Sequence, residues 1–326
     1  MKKIKWGIIG CGDVTEVKSG PGFSKADKSE LVAVMRRDAV KASDYAKRHN
    51  VPKWYTDADA LIMDPEVDAV YVATPPLYHL EYTLAALKAG KPVYVEKPMT
   101  LNAEDAKEMA EAEARYNSKL SVAHYRRALP LFIKIKELLD SGTIGDVRCV
   151  DLKMLQPHQS DLITKTDDNW RVNPDVSGGG LFHDLAPHQL DLMLFFFGKV
   201  KSYSGFAVNQ AGYYPADDLV TGEILFENSI IFKGIWCFTV PPEEQTDLIE
   251  IVGSKGKIRF AVFGQDYYEI CKSGKTEHFE IATPEHIQQP MIQKVVNYFL
   301  GEEENPSTAS TGLEVMSIID RFCKKS

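Results

Sequence analysis

The chain has 326 residues, 44% of them hydrophobic and 26% charged, which is the balance of a soluble globular protein and excludes a disordered one. At about 100–200 residues per domain it holds two domains, or three. Its 38 Lys and Arg against 46 Asp and Glu leave a net charge of −8, which excludes a nucleic-acid reader working through a basic surface.

The first 125 residues alternate short apolar runs with helical patterns. Residues 4–9, 31–35, 69–73, 93–95 and 120–124 are predicted strands. Each is near-continuously apolar, as in a parallel sheet with helices on both faces. Residues 38–49 are a predicted helix with Asp38 at its N-cap. Residues 77–89 are another, stopped by Gly90-Lys91-Pro92. A third, 102–116, opens at Asn102 and carries Glu104 and Asp105 in its first turn, where they complement the helix dipole. Strand, helix, strand at this cadence builds right-handed βαβ units, hence a doubly wound Rossmann sheet in an α/β domain, residues 1–125.

Beyond residue 125 the pattern changes. Residues 130–139 are helical and stop near Ser141-Gly142, and 147–155 form a strand. A Gly- and Asp-rich loop runs to Gly180, followed by a helix over 181–197. Predicted strands then follow almost without helices, at 200–209, 219–226, 229–239, 247–252, 257–263, 267–272 and 275–281. Their turns include Glu227-Asn228, Ser254-Lys255-Gly256 and Ser273-Gly274. Helices over 285–300 and 308–324 close the chain, joined by an acidic loop at Glu302-Glu303-Glu304. This second domain, residues 126–326, is predicted as α+β with a large, mostly antiparallel open sheet. In strand 229–239, Ile230, Phe232, Trp236 and Phe238 share one face while Ile231, Ile235 and Cys237 share the other. Both faces therefore need cover. Helices of the same domain cover one, and a second subunit is the economical cover for the other, which predicts a homodimer or homotetramer.

Five cysteines, at 11, 149, 237, 271 and 323, are odd in number and make no CxxC pair; they read as reduced thiols of a cytoplasmic protein. The opening MKKIKW lacks the long apolar stretch of a signal peptide. The longest apolar run, 192–197, is far short of the ~18 residues that span a bilayer. No membrane association is expected.

Four elements carry chemistry. Gly10-Cys11-Gly12, continued by Asp13 and Val14, lies between the first strand and a short helix. Gly10 permits the tight turn, and Gly12 lets a pyrophosphate approach the backbone at a helix N-terminus. Thr15 stands where GxGxxG has its third glycine, so helix and strand are expected slightly further apart. At the end of the second strand, Arg36 and Arg37 stand where a site for NAD carries a carboxylate on the ribose 2′-hydroxyl. A guanidinium grips a 2′-phosphate, so NADP(H) is favoured over NAD(H). Two solvated arginines, with Asp38 on the ribose, are the alternative.

The third element is Glu96-Lys97-Pro98 at the C-terminal end of strand 93–95, the edge where an open α/β sheet binds ligands. Ala73-Thr74-Pro75-Pro76 ends the preceding strand at that edge and lines the nicotinamide half of the cleft. His79 either contacts the cofactor or lies on the surface. The fourth element runs from Gly178-Gly179-Gly180 through Asp184 and His188 to Asp191. Spacings of four and three place these three side chains on one helical face, and a carboxylate one turn before an imidazole holds its tautomer. A buried structural pair and a metal site including His183 are alternatives. His183 and His188, five apart, diverge on a helix, unlike the i, i+4 pair of a zinc helix, and no metal is expected.

These elements, in this order, resemble the glucose–fructose oxidoreductase / inositol dehydrogenase / rhizopine-catabolism (Gfo/Idh/MocA) family across essentially the whole chain. The characteristic stretches are Val70-Tyr71-Val72-Ala73-Thr74-Pro75-Pro76 with His79, Ala89 through Pro98, and Trp170-Arg171 with the glycine run, Asp184, His188 and Asp191. The resemblance implies a Rossmann domain followed by a domain whose open sheet mediates oligomerisation. It also implies a catalytic Lys97, an Asp184–His188 pair, and Trp170 and Arg171 in the cofactor and substrate cleft. Thr15 departs from the Gly or Ala common in the family. The implied reaction is hydride transfer between nicotinamide and a secondary alcohol or ketone of a sugar, cyclic polyol or sugar derivative. His188, oriented by Asp184, is the acid–base group, and Lys97 stabilises the alkoxide. Tyr125, Arg126, Arg127, His158, Trp170 and Arg171 are candidates for the substrate pocket. A dinucleotide-sensing regulator, an NAD-dependent glycosidase of the same fold and a methyltransferase are the competing readings. The sensor and the methyltransferase need neither Lys97 nor His188.

Overall fold

The computed structural model describes residues 2–162 and 169–323. The chain groups into two units, one comprising the chain up to Leu129 together with Pro284–Met316, the other Pro130–Thr283 together with the chain from Ser317.

In the first unit the order is β1 (Ile4–Ile9), α1 (Asp13–Val17), α2 (Gly20–Lys25), β2 (Ser29–Met35), α3 (Ala39–Arg48), β3 (Lys53–Tyr55), α4 (Ala58–Ile62), β4 (Ala69–Val72), α5 (His79–Lys88), β5 (Val93–Val95), α6 (Ala103–Arg115) and β6 (Leu120–Val122). Among the described residues these strands form a six-stranded sheet in the order β3-β2-β1-β4-β5-β6, parallel at every pairing. Strand order reverses between β1 and β4, so the loops that leave the C-terminal ends of β1, β2, β4 and β5 gather at a topological switch point. Every residue of β4 and β5 is fully buried, as a sheet covered on both faces requires. Tyr71 and Tyr94 stack across these strands with centroids 5.3 Å apart. Phe23 packs on Trp6 and Tyr71 at 4.8 Å each. The predicted caps form: Asp38 accepts from the amides of Val40 and Lys41, and Asn102 accepts from that of Asp105.

Several boundaries differ from expectation. The strand over 69–73 ends at Val72, the one over 120–124 ends at Val122, and α5 starts at His79 after a 3-10 turn over Pro76–Tyr78. The assignment of everything after residue 125 to the second domain is corrected at the tail. After α7 (Pro130–Asp140), β7 (Val147–Leu155), α8 (Pro174–Ser177), α9 (Leu181–Phe197), β8 (Val200–Val208), β9 (Leu219–Phe226), β10 (Ile231–Cys237), β11 (Thr246–Gly253), β12 (Gly256–Phe260), β13 (Tyr267–Lys272) and β14 (Lys275–Glu280), the chain returns to the first unit as α10 (Gln289–Leu300). There α10 buries Met291, Ile292, Val295, Val296 and Phe299 against α2, β1 and the turn over Tyr125–Ala128. Lys119 donates to the Tyr298 carbonyl at 2.6 Å. The last helix, α11 (Ala309–Cys323), begins in the first unit and ends in the second.

In the second unit, among the described residues, eight strands run β14-β13-β12-β11-β7-β10-β9-β8. All pairings are antiparallel except β7 with β10, so the mostly antiparallel expectation holds. One face is covered by the unit's own helices. Phe182 of α9 meets Trp236 edge-on at 5.1 Å, Trp236 Nε1 donates to Gln189 Oε1 at 2.6 Å, and Phe322 of α11 packs 6.2 Å from the same indole. On the opposite face of this sheet Ile231, Ile235, Phe206 and Val208 are exposed. Among the described residues no helix is long and apolar enough to cross a membrane.

Candidate active site

The glycine turn follows β1. Gly10 has φ +93°, and a Cβ there would lie 2.8 Å from the Thr74 amide nitrogen and 2.9 Å from the Ala73 carbonyl carbon; β1 and the turn after β4 can approach this closely only through glycine. Gly12 is different. The atoms nearest a Cβ at Gly12 are Arg36 Nη1 and the Gly10 carbonyl oxygen, both at 3.9 Å, which leaves room over that peptide for a phosphate. Cys11 is fully buried, and burial, opposed by the Arg36 charge, pushes its thiol up to about 11, so it stays protonated at neutral pH. Asp13 is exposed and Val14 half-buried at the start of α1. Thr15 is buried and its hydroxyl donates to the Gly12 carbonyl at 2.7 Å, bracing the turn.

Past β2, Arg36 reaches back over the turn and donates from Nη1 to the Cys11 carbonyl at 3.1 Å. Arg37 points another way, its guanidinium 5.0 Å from the centroid of the Tyr78 ring. In the turn after β4, Thr74 Oγ1 is a buried hydroxyl with no hydrogen-bond partner among the described residues. An orphaned hydroxyl in the turn packed on Gly10, with an open peptide at Gly12 near the Arg36 guanidinium, fits a polar phosphate-bearing ligand. Pro75 and Pro76 complete that turn and lead into the 3-10 turn over Pro76–Tyr78.

The surface alternative for His79 is overturned, since the ring is buried. Its Nε2 lies 2.8 Å from the Thr74 carbonyl oxygen and its Nδ1 2.9 Å from that of Pro98. Glu96 points into the core. Its carboxylate accepts from the Tyr71 hydroxyl at 2.5 Å, from Gln288 Nε2 at 2.9 Å and from the Lys97 amide at 3.1 Å. Burial, reinforced by the Glu96 charge, holds the Tyr71 hydroxyl well above its usual range, so it remains a donor. Lys97 is half-buried and its peptide bond to Pro98 is cis. After β6, Tyr125 and Arg126 are buried with the guanidinium 5.4 Å from the ring centroid, and Arg127 is half-buried.

In the second unit, His158 is exposed and stacks on Tyr213 at 4.7 Å. Trp170 and Arg171 form a short 3-10 turn. The Arg171 guanidinium lies 4.5 Å from the Trp170 ring centroid, and its Nε is 3.5 Å from Asp184 Oδ2. Sequence reasoning placed Asp184 on one helical face with His188 and Asp191; the cationic partner that the carboxylate has 13 positions upstream was not foreseen. The glycine run serves its own helix as well: a Cβ on Gly179 would sit 2.1 Å from His183 Cε1, so only glycine admits that ring. Burial pushes the His183 imidazole down to about 4, against a pull from the Gly179 carbonyl. Asp184 lies in the first turn of α9. His188 and Asp191 are buried further along, with His188 edge-on to Phe263 at 5.6 Å. Among the described residues no three His, Cys, Asp or Glu side chains cluster as a metal site.

Sequence reasoning missed Tyr71 and Gln288, which hold Glu96, and Tyr78, which lies under Arg37. A lone hydroxyl in the otherwise aliphatic strand 69–72 was the available signal for Tyr71; nothing local marks Gln288.

Residues 4–124 match a family described as an oxidoreductase family with an NAD-binding Rossmann fold, and residues 132–259 match the GFO/IDH/MocA C-terminal domain. The chain is 47% identical over 321 residues to oxidoreductase P35 of Formosa agariphila, covering 98% of both chains. It is 35% identical over 201 residues to the D-xylose 1-dehydrogenase (NADP(+)) of Hypocrea jecorina, covering 57% of this chain and 51% of that one. The crystal structure of aldose-aldose oxidoreductase from Caulobacter crescentus superposes with a TM-score of 0.85 at 22% identity, over 98% of this chain and 96% of that one.

Proposed function

The chain belongs to the Gfo/Idh/MocA family of oxidoreductases, and we propose that it interconverts a secondary alcohol and a ketone on a sugar, cyclic polyol or sugar derivative with NADP(H), NAD(H) being the weaker partner. The observation that carries the proposal is the open peptide at Gly12 under the Arg36 guanidinium, where a dinucleotide pyrophosphate and a 2′-phosphate find a backbone donor and a fixed cation. The name of the D-xylose 1-dehydrogenase relative, which carries NADP(+), supports the same choice. Gly10, Cys11, Gly12, Asp13 and Val14 hold the phosphates, Arg36 and Arg37 the adenosine end, and Ala73 to Pro76 with Trp170 and Arg171 the nicotinamide end.

Nicotinamide held at this edge supplies the hydride acceptor, or the donor in reduction. As the alcohol carbon is oxidised, the hydroxyl proton passes to the His188 imidazole. Asp184, paired with Arg171, orients that ring and stabilises its cationic form. Lys97 Nζ donates to the same substrate oxygen and offsets the alkoxide charge. Tyr125 and Arg126 contact the remaining hydroxyls. Glu96 acts through Lys97 rather than on cofactor.

The open face of the second sheet supports a homodimer or homotetramer. Its register sets Ser204, Glu223, Lys233, Asp151, Glu250, Arg259, Glu269 and His278 in one row across the strands, with exposed Ile231 and Ile235 on either side of Lys233. Mixed charge flanked by apolar side chains suits a self-complementary interface. Five unpaired cysteines fit a cytoplasmic location.

The test is a fluorescence titration with NADPH and NADH, followed by a sugar and polyol screen read by nicotinamide absorbance. Tighter NADPH binding with turnover on a member of the panel is expected. Binding with no turnover across the panel would favour a dinucleotide sensor, and absence of binding would end both readings. Light scattering of Ile235→Lys beside the unsubstituted protein tests the interface.

A further inference from the structure

Strand β11 carries a carboxylate where the covered face of its sheet otherwise has isoleucine. Side chains two apart along a strand share a face, so Asp247 stands in one row with the fully buried Ile249 and Ile251. The ladder between β11 and β12 ends at the pair Ile249 and Phe260. Beyond it the Asp247 side chain takes over from the strand, and its Oδ2 accepts from the amides of Val262 at 2.9 Å and Phe263 at 2.6 Å. Bonds to a charged acceptor are the stronger kind, and they fix the chain where it leaves the sheet. Phe260 supplies the core contact of this turn, meeting Phe132 and Phe196 at 6.1 Å each. Phe263 is half-buried and meets the His188 imidazole instead, with centroids 5.6 Å apart and the two planes at 73°.

An imidazole makes its hydrogen bonds in the plane of its ring. With the two planes nearly at right angles, a flat ligand lying on the phenyl ring meets the imidazole with its rim. A pyranose or a cyclic polyol is such a ligand. Its hydroxyls radiate from the rim, and its axial C–H bonds make an apolar face that an aromatic ring covers in place of water. An open-chain polyol carries the same hydroxyls and has no such face. We propose that Phe263 is a substrate-binding residue, the apolar floor on which the substrate lies while His188 reaches a hydroxyl at its rim, and that the substrate is accordingly a ring and not an open chain. The assignment rests on the oxidoreductase reading for the role of His188, and it narrows the substrate class of that site.

The experiment compares rings with open chains in the full-length protein. The rings are D-xylose, D-glucose and myo-inositol, and the open chains are xylitol and D-glucitol. Dissociation constants are read by saturation-transfer NMR with and without NADPH, which holds no room for a second hydride, and kcat and KM are read with NADP+. Covering one face of a sugar ring corresponds to about tenfold in affinity. The unsubstituted protein is expected to bind a ring more tightly than its open-chain counterpart. Phe263→Ala should weaken that ring about tenfold, with a matching rise in KM, and leave the open chains within about twofold. Phe263→Tyr keeps the flat face and should stay within about twofold of the unsubstituted protein. Should Phe263→Ala fail to fold, Phe263→Leu, which keeps the bulk and loses the flat face, takes its place with the same outcomes. Equal weakening of rings and chains, a preference for open chains, or no ring bound at all overturns the proposal. So does a fall in kcat at unchanged KM and affinity, which marks a side chain that only packs on His188. Rings that bind through Phe263 and are never oxidised would end the oxidoreductase reading and leave the floor in place. Oxidation of rings whose binding ignores Phe263 would do the reverse.

Discussion

The side-chain amide of Gln288 donates to Glu96 Oε1 at 2.9 Å, across 192 residues of sequence. Glu96 is 5% exposed, and a buried carboxylate is tolerated only while donors surround it. Replacing Gln288 by Leu removes one donor and leaves the Tyr71 hydroxyl and the Lys97 amide. A loss of about 1–3 kcal/mol is expected, read as a lower urea midpoint at neutral pH. An unchanged midpoint would mean that water takes the place of the amide.

Lys97→Ala and His188→Ala are each expected to lower kcat at least about a hundredfold, the range seen for positioned acid–base groups and electrostatic donors. Dinucleotide affinity should be largely kept, because neither side chain belongs to the glycine turn. Asp184→Asn should cost less than either, since its amide oxygen still accepts from Arg171. Steady-state kinetics beside NADPH titration separates these outcomes, and full turnover in either alanine variant would remove that residue from the chemistry.

For the adenosine end the comparison is between two dinucleotides. Arg36→Ala should weaken NADPH about 10–100-fold, the worth of a charge-assisted hydrogen bond, and leave NADH little changed. Equal weakening of both would place Arg36 on the pyrophosphate or on the turn itself, where it already touches the Cys11 carbonyl.

His183 makes stability depend on pH with a definite sign. Burial holds its folded-state value near 4 against an ordinary 6.5, so between those values the unfolded chain binds a proton that the folded chain does not. The stabilisation is complete above pH 6.5 and drains away as pH falls towards 4. The full swing is on the order of 3 kcal/mol. In His183→Leu, urea midpoints measured from pH 7 to pH 4 should fall less steeply than in the unsubstituted protein. Parallel curves would show that the ring is hydrated and titrates normally.

Much of the first sheet was legible because its strands are unbroken apolar runs and its helices carry Asp38 and Asn102 at their caps. What escaped was made by tertiary contact. The segment Gly20–Lys25 reads GPGFSK, a poor helix former by propensity, yet it is helical because Phe23 is buried among Trp6, Tyr71 and Tyr94. Strand β3 is three residues with Trp54 exposed, too short for a period to register. The helix that carries Asp184 and His188 was readable from its spacing, whereas the Arg171 partner of Asp184 depends on how the glycine run turns the chain. The return of α10 could not be read at all, since amphipathic spacing shows that a helix has a buried face and not which sheet receives it.

That return has a consequence for synthesis. Residues 284–316 leave the ribosome after every strand of both sheets, yet they supply Gln288 for Glu96 and the apolar face of α10 for β1 and α2. A nascent chain that has emerged only as far as residue 283 therefore carries every strand of the parallel sheet with one side of it unsealed, and that unit closes only after every strand of the second sheet has been made.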